Sequence, residues 1–153
     1  PMRELAFNGI YRLNPESGEV QLLERTQSRP NGIALSVDER TLYVANSDEN
    51  NKVWYSYEVG DSGELSNQQV FFDVNDQDGV GAADGMKIDV DGNIFATGPG
   101  GVWVFDPGGN HLGTIKPDEV PANVGWGDDG STLYMTARTG LYRIKLSTSG
   151  LVP

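Results

Sequence analysis

Arg29-Pro30-Asn31-Gly32-Ile33-Ala34-Leu35-Ser36, then Val37-Asp38-Glu39-Arg40, then Thr41-Leu42-Tyr43-Val44-Ala45 decides how the chain is read. Short apolar runs flank an acidic connector, the pattern of two β-strands joined by a tight turn. The pattern returns twice. One copy is Ala83-Asp84-Gly85-Met86-Lys87-Ile88-Asp89, Val90-Asp91-Gly92 and Asn93-Ile94-Phe95-Ala96-Thr97. The other is Ala122-Asn123-Val124-Gly125-Trp126-Gly127, Asp128-Asp129-Gly130-Ser131 and Thr132-Leu133-Tyr134-Met135-Thr136. The Asp-Gly steps predict type I′ hairpin turns, which need positive φ. Asp84 follows Asn31 by 53 residues, and Asn123 follows Asp84 by 39.

A third strand follows each hairpin: Lys52-Val53-Trp54-Tyr55-Ser56-Tyr57, Gly101-Val102-Trp103-Val104-Phe105-Asp106 and Gly140-Leu141-Tyr142-Arg143-Ile144-Lys145. The opening supplies another copy, Gly9-Ile10-Tyr11-Arg12-Leu13-Asn14. A fourth strand follows three of these: Gly18-Glu19-Val20-Gln21-Leu22-Leu23, the run from Gly63 to Phe72, and Asn110-His111-Leu112-Gly113-Thr114-Ile115. Four antiparallel strands, A to D, repeated every 40–50 residues or so, are the signature of a β-propeller blade. An all-β sandwich with accidental similarity is the alternative, and it leaves the aligned aromatics of strands B and C unexplained. The chain reads C-D, A-B-C-D, A-B-C-D, A-B-C. That is about three blades in one partial domain, residues 1–153, with blade pieces at about 7–26, 29–73, 82–117 and 121–147. Such a half-ring leaves open blade faces and unpaired edges, which soluble proteins avoid. The reading therefore expects a complementary N-terminal half.

Composition narrows the partners. With 11 basic and 22 acidic residues, the formal net charge is −11. An acidic surface without a basic patch repels phosphate backbones, so no nucleic-acid partner is expected. It attracts cations. With no cysteine, thiolate nucleophiles, cysteine zinc sites and disulfides are excluded, which fits a cytoplasmic setting. No apolar run approaches a membrane span; Val102-Trp103-Val104-Phe105 is typical of the longest. Pro1-Met2-Arg3-Glu4 does not read as a signal peptide.

Strand A of a propeller blade lines the central channel. Asn31, Asp84 and Asn123 open the three A strands, so their oxygens are expected at the channel mouth. One carboxylate and two carboxamides suit a hard cation such as Ca²⁺, Mg²⁺ or Mn²⁺ and tolerate Zn²⁺. A lone Asn-Gly or Asp-Gly is more often a turn, but recurrence at one repeat position favours ligands at Asn31 and Asp84. Asn123 lacks the following glycine, and reads equally as a polar cap on the next blade. Other constellations fail. There is no Gly-x-Ser-x-Gly elbow. The single histidine, His111, falls on an outer strand D as a surface residue, leaving no histidine triad. Gly79-Val80-Gly81-Ala82-Ala83-Asp84 starts like a dinucleotide fingerprint but lacks its third glycine and its helix. The acidic run from Asp73 to Gly79 reads as a solvated inter-blade loop rather than a calcium loop. Trp54, Trp103 and Tyr142 read as blade packing.

Four stretches together resemble the gluconolactonase branch of the SMP-30/gluconolactonase/LRE-like family. They are Glu4 to Leu13, Arg29-Pro30-Asn31-Gly32-Ile33-Ala34, Asp84-Gly85-Met86-Lys87-Ile88-Asp89, and Gly98-Pro99-Gly100-Gly101-Val102-Trp103-Val104-Phe105. The resemblance covers essentially the whole chain, in the family's motif order. It implies a six-bladed propeller with one divalent metal at the channel mouth, Ca²⁺ first, and hydrolysis of sugar lactones. It places a metal ligand on Asn31, and on Asp84 a metal ligand and proposed catalytic acid/base. No ligand role carries over to Asn123. The family's other ligands, a Glu near the N-terminus and an Asn of the first half, have no counterpart here. The likeness is thus to the C-terminal half, from about the B–C connection of the third blade.

The resemblance implies that the cation polarises the lactone carbonyl while water attacks. Either Asp84 accepts the water's proton, or Asp84 is a ligand only and a water on the cation is the nucleophile. Two other functions stay open at this point: a phosphotriester hydrolase on the same propeller, and an inactive or binding fragment lacking half of the metal site.

Overall fold

Residues 4–151 are described in the computed structural model, and every regular element among them is a β-strand. Pro1-Met2-Arg3, part of the opening read above for a signal, lies outside them. β1 (Ile10–Leu13) pairs with β2 (Val20–Glu24). β3 (Pro30–Leu35), β4 (Thr41–Asp48), β5 (Asn51–Val59) and β6 (Leu65–Asp73) form a four-stranded meander. β7 (Met86–Ile88), β8 (Ile94–Gly98), β9 (Gly101–Phe105) and β10 (His111–Ile115) form another. β11 (Pro121–Gly127), β12 (Thr132–Ala137) and β13 (Leu141–Lys145) make a three-stranded sheet. All pairings are antiparallel between sequence neighbours, in the order of the sequence repeat. The strands form no closed barrel among the described residues, and no described helix is long and apolar enough to cross a membrane.

The sheets stack face to face, because every strand puts alternate side chains on opposite faces. Tyr43, Trp54 and Phe72 of one meander meet Met86, Ile88, Trp103 and Phe105 of the next. Trp54 stands edge-on to Phe105 at 5.3 Å, and Phe72 lies 4.8 Å from the same ring. Truncating a ring as buried as Phe105 costs about 3–5 kcal/mol. Phe95 and Val102 then face Val124, Leu133 and Met135, with Trp126 and Tyr142 packed against them. The tryptophans and Tyr142 are thus packing residues. Stacking sets β3 beside β7 and β7 beside β11.

The other face of β3 differs. Ile33 pairs with Val44 and Leu35 with Leu42, so these four share one face. Ile10 of β1 covers Leu42, Val44 and Tyr57. Ile33 and Leu35 stay 49% and 41% exposed. The first sheet has only its two strands there, and the cluster that Ile10 joins holds Leu42, Val44 and Tyr57 but neither Ile33 nor Leu35.

Two local expectations need correction. Neither the Asp91-Gly92 nor the Asp129-Gly130 connection is type I′, since Asp91 and Asp129 are not left-handed. Gly92 (φ 84°) is left-handed while Asp91 is not, and Gly92 N–H bonds the Asp89 carbonyl at 3.1 Å. One left-handed residue closes a longer connection, as the buried Asp89 carboxylate accepts from Asp91 and Asn93 N–H. Nor does Asp84 open its strand in the same register as Asn31. Asn31 is the second residue of β3, Asn123 the third of β11, and Asp84 lies two residues before β7. The cause is Gly85, whose N–H turns to the Ala122 carbonyl of the next sheet at 3.0 Å.

Candidate metal and catalytic site

The end of β4 builds the first part of the site. Asn46 is fully buried, and its carboxamide accepts from Arg29 N–H at 2.8 Å and donates to the Asn51 carbonyl at 2.8 Å. Ser47 N–H bonds the Arg29 carbonyl at 2.9 Å. These bonds fix the chain entering β3, so Asn31 emerges at a set height on the exposed edge of the stack. Its amide nitrogen donates to Ser47 Oγ at 3.0 Å.

Asp84 is held from the neighbouring meander. Its N–H donates to the Thr97 carbonyl at 3.1 Å, and Thr97 N–H returns to the Gly85 carbonyl at 2.9 Å. The loop before it docks on the β8–β9 turn, where Gly100 N–H bonds the Val80 carbonyl at 3.1 Å. The glycine pair that starts like a nucleotide fingerprint is therefore a loop-packing device. Strand A comes close to strand A at the glycines. A Cβ on Gly32 would land on the Asp84 carbonyl oxygen, and one on Gly85 would land on the Asn123 carboxamide. The residue after each of these two anchors is glycine because the next anchor's strand occupies that space.

Asn31 and Asp84 meet. The Asn31 side chain lies beside the half-buried Asp84 carboxylate, close enough to favour its ionised form. Burial pushes the Asp84 pKa above the usual carboxylate range, and Asn31 pulls partly against it. Six other described carboxyl groups with a resolved shift go the other way: Glu24, Asp38, Asp48, Asp106, Glu119 and Asp129 are all held down. For all but Glu24, a side-chain hydrogen bond is the largest cause; for Glu24, burial opposes the bonds that lower it. A buried carboxylate kept ionisable at cost is the kind of group that functional sites use.

Asn123 comes near but does not present its oxygen. Its Oδ1 accepts from Val124 N–H at 2.8 Å, on its own strand. The expectation of a cap on the next blade is replaced by a cap on its own backbone. His111 is on the outer strand β10 and exposed, with its ring 4.4 Å from that of Trp103 and Nε2 bonded to Thr114 Oγ1. Sequence reasoning missed Ser47. Its only signal was its place at the end of a strand B, where a serine reads as the start of a turn.

Comparison with known proteins sets this geometry in a wider frame. The SMP-30/Gluconolactonase/LRE-like region matches residues 2–139. A gluconolactonase of Zymomonas mobilis is 37% identical over 97% of this chain and 43% of its own length. The solved structure of a gluconolactonase from Xanthomonas campestris superposes with a TM-score of 0.86 at 31% identity, over 95% of this chain and 47% of that one. That of a calcium-binding protein, regucalcin, from Agrobacterium tumefaciens gives 0.76 at 24% identity, over 93% and 52%, a likeness of fold. The chain spans about half the length of these relatives.

Proposed function

The chain belongs to the SMP-30/Gluconolactonase/LRE-like family, and on that premise we propose that the protein is a metal-dependent hydrolase of sugar lactones, with Asn31 and Asp84 in its reacting centre. The observation that carries the reading is the closeness of Asn31 on β3 to Asp84 in the segment that leads into the neighbouring β7. The 37% identity to a gluconolactonase supports the substrate class over phosphotriesters.

The donor set fits a hard divalent cation. It offers a carboxylate and a carboxamide, with no cysteine in the chain. No cluster of three or more His, Asp or Glu side chains stands among the described residues. Oxygen donors favour Ca²⁺ over Zn²⁺, Mg²⁺ and Mn²⁺ taking fewer or more rigidly placed ligands. Ca²⁺ takes six to eight oxygens or so, so two protein ligands require a further source. A complementary N-terminal half, closing a six-bladed ring of which the sheets here make about three blades, is that source. The bare Ile33 and Leu35 support it, as apolar side chains on a face that further strands would cover.

Bound at Asn31 and Asp84, the cation would supply Lewis-acid polarisation of the lactone carbonyl. Asp84 accepts the proton of the attacking water. Burial raises its pKa in the cation-free chain, and a bound cation would pull it back down, so its place beside the reacting carbonyl rather than a raised pKa would suit it to the base role. Asn31 beside it favours the ionised carboxylate. The half-buried position limits competing water around the base.

A substrate panel tests the reading. Sugar γ- and δ-lactones should be hydrolysed by the whole protein, with phosphotriesters slower by orders of magnitude. Phosphotriesters as the better substrates, or no hydrolysis of either class, would overturn it.

A further inference from the structure

Ser47 has two partners, one on its own sheet and one in the loop that leads into the next. Its hydroxyl donates to the Ala83 carbonyl at 2.5 Å, the residue before Asp84. It accepts from the Asn31 amide at 3.0 Å. A hydroxyl has one hydrogen. The Ala83 carbonyl can only accept, so that hydrogen is committed to it. Toward Asn31, then, Ser47 is an acceptor alone.

This settles which way the Asn31 carboxamide faces. An oxygen turned toward Ser47 would meet a lone pair, so the nitrogen must face it. The Asp84 carboxylate beside the same side chain can also only accept, so it too favours the nitrogen over the oxygen. Asn31 Oδ1 is left as the outward atom, with no hydrogen-bond donor to it among the described residues.

We propose that Ser47 is the positioning residue of the site: it sets the rotamer and flip of Asn31 so that the carboxamide presents oxygen, and it ties that oxygen's height to the strand carrying Asp84. The inference rests on the metal-site reading above for its consequence, though not for its geometry. A merely structural tie between sheets needs less. Thr97 makes one, donating from Oγ1 within reach of the Gly85 and Ala122 carbonyls at 3.1 and 3.2 Å, with no bond to an anchor side chain. Ser47 does the same for Ala83 and adds the acceptor function that Thr97 does not use. A ligand held in place before the cation arrives binds it more tightly, and supporting groups of this kind contribute about 10–100-fold in affinity.

The experiment uses the whole protein with Ser47→Ala and Ser47→Thr. Three quantities are read: hydrogen exchange and rotation of the Asn31 side-chain amide by ¹⁵N NMR, the calorimetric affinity for Ca²⁺ alone, and kcat with KM at saturating Ca²⁺. In the wild type the Asn31 amide hydrogens should be slow to exchange. Ser47→Ala should release them and weaken Ca²⁺ binding by about tenfold or more, with kcat largely recovered once Ca²⁺ saturates. Ser47→Thr, which keeps the hydroxyl, should restore both. If Ser47→Ala fails to fold, the wild-type amide decides, and a freely exchanging Asn31 amide overturns the proposal. Unchanged Ca²⁺ affinity in a folded Ser47→Ala protein also overturns it. A wild type that binds no Ca²⁺ while its Asn31 amide is locked refutes the metal-site reading and leaves the Ser47 geometry standing.

Discussion

The carbonyl oxygen of Asp84 occupies the space that a Cβ on Gly32 would fill. The obstacle is backbone, which cannot swing aside as a side chain can. Gly32→Ala should therefore push two inner strands apart and destabilise by about 1–3 kcal/mol. It should also separate Asn31 from Asp84 and weaken Ca²⁺ binding. Gly113→Ala is the matched control, because a Cβ there meets nothing within 4 Å. It should stay within about 0.5 kcal/mol of the wild type. Urea denaturation compares the two, and equal midpoints would contradict the close-approach account.

Asp84→Asn should move stability and activity in opposite directions. A carboxyl whose pKa is raised on folding binds more protons folded than unfolded between its ordinary and raised values. Stability therefore falls as pH rises through that window, and the loss persists above it. Removing the charge relieves that loss, so the cation-free variant should melt higher at neutral pH and lose the downward slope. Turnover should drop by about 10²-fold or more, as for loss of a general base. Thermal melts from pH 4 to 8 with chelator, beside lactone kinetics, check both signs. A variant that melts lower at neutral pH refutes the burial argument; one with near-normal turnover refutes the base role.

Much of this fold was legible from residue order. Alternating apolar runs around short acidic connectors marked the hairpins, and the tryptophans of the third strands marked the packed faces. That the segments of Asn31 and Asp84 lie side by side was legible from the repeat, though not at one shared register. What stayed hidden depends on contacts remote in sequence. Ser47 reaches Ala83 across 36 residues. Asp89 looked like one more turn carboxylate, yet it is fully buried and also accepts from Thr148 Oγ1, 59 residues on. No periodicity announces such bonds. The phase of Asp84 was also hidden, because Gly85 spends its N–H on a neighbouring sheet rather than on its own ladder.

Asp89 gives a separate test of structure against site. Its carboxylate serves Asp91 and Asn93 N–H, the Asn93 amide and the Thr148 hydroxyl. The segment carrying Thr148 also bridges through Gly150 to Asp89. Asp89→Ala should cost about 2–4 kcal/mol by leaving buried donors without partners. Asp89 lies at the other end of β7 from Asp84, so the Ca²⁺ affinity of the folded fraction should be unchanged. Calorimetry at a temperature where the variant is folded reads the affinity. A large loss of affinity there would show that the two ends of the strand are coupled.

The central claim is that Asn31 and Asp84 serve a cation on which lactone hydrolysis depends. The direct measurement is the rate of gluconolactone hydrolysis by the whole protein, above the spontaneous rate, before and after a chelator and after Ca²⁺ is returned. The account predicts activity that the chelator abolishes and Ca²⁺ restores in the wild type, with Asn31→Ala needing far more Ca²⁺ to recover. Hydrolysis that survives exhaustive chelation, or an Asn31→Ala protein with the wild-type Ca²⁺ requirement, would contradict it.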